Sequence, residues 1–318
     1  MIKGIKEIKQ YDVKDIHVRD SFIFTDRENE RYLLFGTNDV SNGAADLNPF
    51  FEVYTSKDLK TFEGPYVAFY PKKGFWGVRH YWAPEVHEYK GKYYMFASFK
   101  GGIDEDRGTA ILVSDRPEGP YEEHSKGHVT LKGHECLDGT LYIDKKGKPW
   151  IVFIHEWTEM YYGKIKALPL SDDLTHPLTQ DALTIFDLEF DRPGWIRTIS
   201  DDRAGKSGYL TDAPFMHRME NGDLIMLWSS YSVENYKNSG GKGGYVVAMV
   251  KSESGDIQGP WKHAEMPVFD INYGHVALFR NLDGELMLSG HGDDTHHGSE
   301  HSLFFKVKEE NGTLVKVD

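Results

Sequence analysis

A single cysteine in 318 residues, Cys136, excludes an intrachain disulfide and any cysteine-built zinc cluster. Positive charge is also scarce: 37 Lys and Arg stand against 50 Asp and Glu, for a formal net charge of −13. That balance argues against a nucleic-acid surface, which needs clustered cations to hold phosphates. It argues less strongly against an anionic membrane surface. No apolar run approaches the roughly 20 residues of a membrane-spanning helix. Pro- or Ser-rich linkers and low-complexity segments are missing, so nothing divides the chain. The first residues, MIKGIKEIKQYDV, hold no continuous apolar core, and a cytoplasmic setting is the expectation. Long amphipathic helical patterns are lacking too, which counts against alternating α/β folds.

What the chain does have is aromatic residues, 14% of the total, together with 32 glycines. This pairing suits many short strands joined by tight turns. A three-part unit then recurs: a short strand, a polar turn, and a second strand of apolar and aromatic residues. The strand pairs read DSFIFTD and RYLLFGT, APEVHEY and KYYMFAS, DGTLYID and PWIVFIH, DAPFMHR and LIMLWSS, HVALFRN and ELMLSGH. Turn signals fall between them at Lys90-Gly91, Lys146-Gly147, Asn221-Gly222 and Asp283-Gly284. A third strand follows in most units, and three units then carry Gly64-Pro65-Tyr66, Gly119-Pro120-Tyr121 and Gly259-Pro260-Trp261.

The opening strands start at Asp20, Ala83, Asp138, Asp212 and His275, which divide the chain into five parts of similar length. Five units of three or four strands at this period predict an all-β, five-bladed β-propeller, one domain over residues 1–318. The innermost strands of a propeller line its channel, so their first residues converge at one mouth. The second strands run back and end there. Those return positions are Thr37, Ser98, His155, Ser230 and His291. Each residue alone has an ordinary structural explanation, such as a turn cap or a satisfied histidine. Three carboxylates at symmetry-related positions are another matter, because like charges gathered so cost stability and raise at least one pKa.

Facing carboxylates suit glycosidic bond hydrolysis, in which one donates a proton to the leaving oxygen and another activates water. A third would hold the acid's pKa up and orient it. Trp82 offers a ring to stack on a sugar, with Ala83 beside it leaving space, and Trp157 follows the third return strand. Around the same mouth, Glu85, His155, Glu156 and His291 complete the expected substrate-binding set.

These segments resemble glycoside hydrolase family 43, whose members are five-bladed propellers with an inverting mechanism, acting on arabinose- and xylose-containing glycans. His17-Val18-Arg19-Asp20-Ser21 is similar to the first-blade motif that carries the general base. Tyr81-Trp82-Ala83-Pro84-Glu85 resembles the second-blade Trp-Ala-Pro-acid motif, and Leu137-Asp138-Gly139-Thr140 the third-blade segment with the pKa-tuning Asp. Gly274-His275 resembles the fifth-blade pair whose His faces a cation or water in the channel. The resemblance thus implies Asp20 as base, Asp138 as tuner and Asp212 as acid, with the Asp20 and acid carboxyls ~6.5–9.5 Å apart. One departure stands out, since Thr211-Asp212-Ala213-Pro214 has Asp where the family acid is Glu. A side chain one methylene shorter makes Glu156 the second candidate acid, with Glu85 and Glu135 behind it.

The expected activity is exo-acting hydrolysis of terminal arabinofuranosides, xylosides or galactofuranosides on oligosaccharides. No cofactor is required, and the one metal expectation is a structural cation such as calcium on His275. No nucleic-acid or membrane partner is expected. Two other propeller enzymes remain in view: a mannoside phosphorylase and a β-fructosidase, the latter echoed by Arg19-Asp20 and Glu135-Cys136. A non-catalytic sugar-binding propeller is the third alternative. His296, His297 and His301 read as a solvated surface cluster, and Gly240-Gly241-Lys242-Gly243-Gly244 as a strand connection without phosphate-loop spacing.

Overall fold

The computed structural model describes residues 7–38, 49–102, 105–201, 205–238, 240–241, 244–292 and 300–317; His296, His297, Lys242 and Gly243 lie outside them. Five antiparallel sheets of four or more strands follow one another along the chain, with a two-stranded ribbon, Ile199–Asp201 and Lys206–Gly208, between the third and the fourth. Blade one comprises Arg19–Asp26, Arg31–Thr37, Phe51–Ser56 and Thr61–Phe69, with Lys9–Asp12 added along its outer edge. Blade two runs through Arg79–Tyr89, Lys92–Lys100, Arg107–Ser114 and Glu122–Glu123, and blade three through Cys136–Ile143, Pro149–His155, Lys164–Pro169 and Leu183–Asp187. Blade four is Asp212–Arg218, Leu224–Tyr231, Tyr245–Ser252 and Trp261–His263; blade five is Tyr273–Arg280, Leu286–Gly292, His301–Glu310 and Thr313–Lys316. The five-bladed propeller expected from the repeat is the fold observed.

Blade packing explains why the second strands are apolar on both faces instead of alternating. Each blade is covered on both sides by its neighbours, so Leu33, Leu34 and Phe35, or Met226, Leu227 and Trp228, are all buried. Phe51, Tyr81 and Phe99 fill the space between blades one and two, and Val152, Ile165 and Trp228 that between three and four. The glycines of the four turn signals have φ between 76 and 90°, the conformation that made glycine the choice there.

A bulge interrupts every inner strand at the mouth. The residue in it has left-handed backbone: Asp20 (φ 53°), Ala83 (45°), Asp138 (50°), Ala213 (47°) and His275 (50°). Asp212 therefore sits one residue before the ring position in blade four, and Ala213 is the true counterpart of Asp20 and Asp138. The return positions shift likewise. Strand register opposes Arg19 to Thr37, Trp82 to Ser98, Leu137 to Ile154, Asp212 to Ser229 and Gly274 to His291. His155 and Ser230, expected as members of that ring, each lie one residue beyond it.

This register creates a latch between blades. The ring residue's N–H, buried and turned out of the ladder, is donated to the return side chain of the preceding blade. Ala83 N–H donates to Thr37 Oγ1 (2.8 Å), Asp138 N–H to Ser98 Oγ (2.8 Å), His275 N–H to Ser229 Oγ (2.9 Å) and Asp20 N–H to His291 Nδ1 (3.0 Å). Blade three offers Ile154, which has no acceptor, at the fifth junction. Between blades five and one, Ser21 Oγ–H donates to Gly290 O and Thr25 Oγ1–H to Arg280 O, so side chains close the circle.

Ser229→Ala should orphan the His275 N–H in a fully buried place and lower unfolding stability by about 1–3 kcal/mol. Denaturant titration of the two proteins checks this, an unchanged midpoint being the contrary result.

Candidate active site

The bulges place the side chains of Asp20, Asp138 and His275 in the channel mouth, and Asp212 joins them from the preceding position of blade four. His275 Nδ1 is the common centre: Asp20 Oδ1 lies 3.1 Å away, Asp138 Oδ2 3.9 Å and Asp212 Oδ1 4.0 Å. The Asp20 and Asp212 oxygens that share this nitrogen can be no further apart than the sum of their two distances to it. All four groups are shielded from water, Asp212 least, with its side chain 23% exposed against 5% for Asp138.

The carboxylates differ in protonation. Burial works against ionising Asp20, but His275, Arg19 and His291 beside it and the Thr37 hydroxyl outweigh it, lowering its pKa to about 2. Thr37 donates to Asp20 Oδ2 at 2.6 Å while its oxygen accepts the Ala83 N–H, so one side chain serves both the latch and the carboxylate. Asp138 is pushed well above the usual carboxylate range, first by burial, then by the charge of Asp212 and a hydrogen bond with it. The proton that this leaves on Asp138 lies between it and Asp212, the member of the pair that faces solvent.

Tyr245 holds that member in place. Its phenol O–H donates to Asp212 Oδ2 at 2.5 Å, and its ring stacks on His291 at 5.5 Å between centroids. The ring also presses on Gly274, where a Cβ would come within 2.3 Å of Tyr245 Cε1. The glycine of the Gly274-His275 pair is therefore required by a tyrosine from the preceding blade.

A second charged group flanks the first. Arg107 lies 3.4 Å from Glu156 Oε2 and 3.7 Å from Glu135 Oε2, and Lys100 also pairs with Glu135. Burial raises the Glu156 pKa to about 7, with Asp212 and Glu135 adding to the rise and Arg107 opposing it. The Trp82 ring stacks in parallel on His80 at 4.2 Å, and the Arg107 guanidinium sits over the ring at 4.7 Å. The partly exposed Trp82 ring is thus engaged by both His80 and Arg107 within the protein.

The structure scatters the other expected site residues. Glu85 is buried against His87 at 3.0 Å, two residues further along the strand. His155 turns away from the channel to Glu159 (3.1 Å), following its one-residue offset. Trp157 is buried under Gly208, whose Cβ would meet its Cε3 at 2.7 Å, so it is core packing. His291 supports Asp20 and Tyr245 from below, and burial lowers its pKa to about 4. Arg107 and Tyr245 are absent from the sequence reading. Each is the first residue of its blade's third strand, which runs parallel to the inner strand and so also starts at the mouth. That position is the signal by which both can be found.

A model of "Glycosyl hydrolases family 43" matches residues 13–304. The chain belongs to glycoside hydrolase family 43. It is 25% identical over 281 residues to the extracellular exo-α-(1→5)-L-arabinofuranosidase ArbA of Cellvibrio japonicus, covering 83% of this chain and 71% of that protein. Xylosidase/arabinosidase 43A of Humicola insolens is 31% identical over 84 residues, about a quarter of each chain (26% and 24%). Among solved structures, an endo-arabinase from Bacteroides thetaiotaomicron VPI-5482 superposes with a TM-score of 0.83 at 35% identity, over 97% of this chain and 100% of that one.

Family 43 membership makes the chain a glycosidase and sets aside the non-catalytic propeller. The cytoplasmic expectation is corrected, because the Cellvibrio relative is extracellular by name. No helix among the described residues is long and apolar enough to cross a membrane. For the expected channel cation, His275 Nδ1 and one oxygen each of Asp138 and Asp212 lie within 4.8 Å of one another. Calcium takes six to eight oxygens, so water would have to complete such a site. An ion there would stand between Asp138 and Asp212, and the chemistry below is that of the side chains.

Tyr245→Phe removes the O–H that holds Asp212 Oδ2, so kcat should fall about tenfold through misplacement of that carboxyl, with little change in KM. Steady-state kinetics of the two proteins check this, and an unchanged kcat would separate Tyr245 from the placing of Asp212.

Proposed function

We propose that the enzyme hydrolyses α-1,5-linked L-arabinofuranosyl bonds of arabino-oligosaccharides with inversion at the anomeric carbon. The observation that carries this reading is the gathering of three carboxylates on one imidazole in unequal surroundings, which favour the charge of Asp20 and oppose that of Asp138 beside Asp212.

In this reading Asp20 takes a proton from water as the water attacks the anomeric carbon. Thr37 and His275 fix the carboxylate so that one oxygen faces the channel. Asp212, the more exposed partner of the pair, gives its proton to the glycosidic oxygen as the bond to C1 breaks. Asp138, buried behind it, keeps that proton available at neutral pH by raising the affinity of the pair for it. The upper limit that His275 sets on the Asp20–Asp212 separation meets the inverting range of ~6.5–9.5 Å only at its short end.

The relatives support the sugar: one is named an arabinofuranosidase and one an endo-arabinase. Glu156 is the second candidate acid, because its pKa of about 7 also leaves a proton to donate near neutrality. A phosphorolytic reading gains nothing from the cations found at the mouth, since Arg107 and Lys100 are both engaged by carboxylates.

Wild type is incubated with linear α-1,5-arabino-oligosaccharides and with nitrophenyl α-L-arabinofuranoside, β-D-xyloside and β-D-galactofuranoside. Proton NMR records the first anomer formed. Arabinose released first as the β-anomer is the expected result, and the α-anomer would mean retention. Arabinose alone identifies cleavage at chain ends, whereas mixed oligosaccharides identify internal cleavage. Asp20→Asn should cost at least a hundredfold on every substrate. The acid variant should lose far more on oligosaccharides than on nitrophenyl substrates, whose leaving group needs little protonation. If Glu156→Gln shows this contrast and Asp212→Asn does not, the acid is Glu156.

A further inference from the structure

We propose that blade three carries a binding site for a zinc-like divalent cation, separate from the catalytic channel, made by His134 Nδ1, His155 Nε2 and the carboxylate of Glu159. The three donors lie within 4.8 Å of one another. Glu159 stands between the two rings, with Oε1 2.9 Å from His134 Nδ1 and Oε2 3.1 Å from His155 Nε2. Two imidazoles and one carboxylate form a donor set for borderline cations such as zinc, and they leave a fourth position for water.

The fold places these side chains together. His155 ends the strand Pro149–His155 and pairs with Cys136, the residue that opens the neighbouring strand. His134 lies two residues before Cys136, and Glu159 follows His155 by four residues on the helical turn Trp157–Met160. The Glu135 N–H donates to Glu159 Oε2 at 2.8 Å and fixes its carboxylate. Depth is graded: His155 is buried, whereas the side chains of His134 and Glu159 are 43% and 28% exposed. An ion can therefore enter from solvent and meet a buried ligand at the base.

Binding replaces two imidazole–carboxylate hydrogen bonds. Each imidazole moves its proton to its other ring nitrogen, and the vacated lone pair goes to the metal. For His134 the other nitrogen is Nε2, on a side chain 43% exposed. For His155 it is Nδ1, which is buried and makes no hydrogen bond that the shift would break. The ion would tie residues 134–135 to 155–159, the two segments that bring Glu135 and Glu156 to the mouth. Glu156 N–H already donates to Glu135 O across them at 2.9 Å.

The test uses chelator-treated protein, dialysed against zinc or cobalt(II) chloride and passed through a desalting column. Metal content is read by mass spectrometry, and the cobalt form by its visible spectrum. Wild type should retain one equivalent, show the intense bands of four-coordinate cobalt and melt at a higher temperature with zinc than without. His134→Gln and Glu159→Gln, both at partly exposed positions, should each weaken binding at least tenfold and lose the cobalt bands. Their metal-free melting temperatures establish that they fold. Retention of zinc with undiminished affinity by both variants would place the ion elsewhere, at His275 or on surface histidines, and would overturn the proposal. So would a wild type that retains none.

Discussion

The backbone N–H that four of the five inner strands pass to the blade before them is the constraint on which the channel mouth depends. A bulged residue in left-handed backbone cannot keep its N–H in the strand ladder, and a buried, unpaired donor is costly. Four junctions solve this with a side chain at one register position: Thr37, Ser98, Ser229 or His291. The same bulge that displaces the N–H turns the ring side chain into the channel. Blade closure and the aiming of Asp20, Asp138 and His275 are therefore one structural event. Thr37 shows the economy of it by holding Ala83 and Asp20 at once.

The fivefold period, the strand pairs and the turn glycines are all legible in the sequence, because they follow from local rules of alternation and turn geometry. So is the convergence of Asp20, Asp138, Asp212 and His275. The register is not. A bulge adds one residue to one strand, and a one-residue offset changes which side chains share a face. This is why His155 and Ser230 look like companions of Thr37 and Ser98, and why Ala213 hides behind Asp212. The company Trp82 keeps is a different matter, because only packing reveals that His80 and Arg107 lie against its ring. Arg107 and Tyr245 escape because they open third strands, which reach the mouth as the inner strands do, whereas the recurring motif draws the eye to the first two strands of each blade.

Electrostatics at the mouth sorts three neighbouring carboxylates into different states through their surroundings. Asp20 is ringed by groups that favour its charge, whereas Asp138 has burial and the neighbouring carboxylates against it. Neither environment is comfortable. A buried protonated Asp beside an ionised one stores free energy that a purely structural core would not retain, and such conflicts between stability and local chemistry gather at working sites. Glu156, raised by burial yet tempered by Arg107, repeats the theme one step further out.

The shorter acid of blade four fits this arrangement once the bulge is taken into account. Asp212 departs from the strand one residue before Asp20 and Asp138 do in theirs, so its side chain enters the mouth from a different angle. An Asp from that position comes within 4.0 Å of His275 Nδ1 and within hydrogen-bonding reach of Asp138. A short carboxylate has fewer ways to bend toward a partner, and its orientation has to come from outside. Tyr245 supplies it, with its own ring stacked on His291. The tyrosine can stand there only because residue 274 has no side chain. A glycine in blade five, a tyrosine in blade four and an aspartate where the family motif has glutamate are thus one coupled choice. The Tyr245 phenol meets the carboxyl of an Asp at this position at 2.5 Å, so the Asp stands in this mouth as a positioned group.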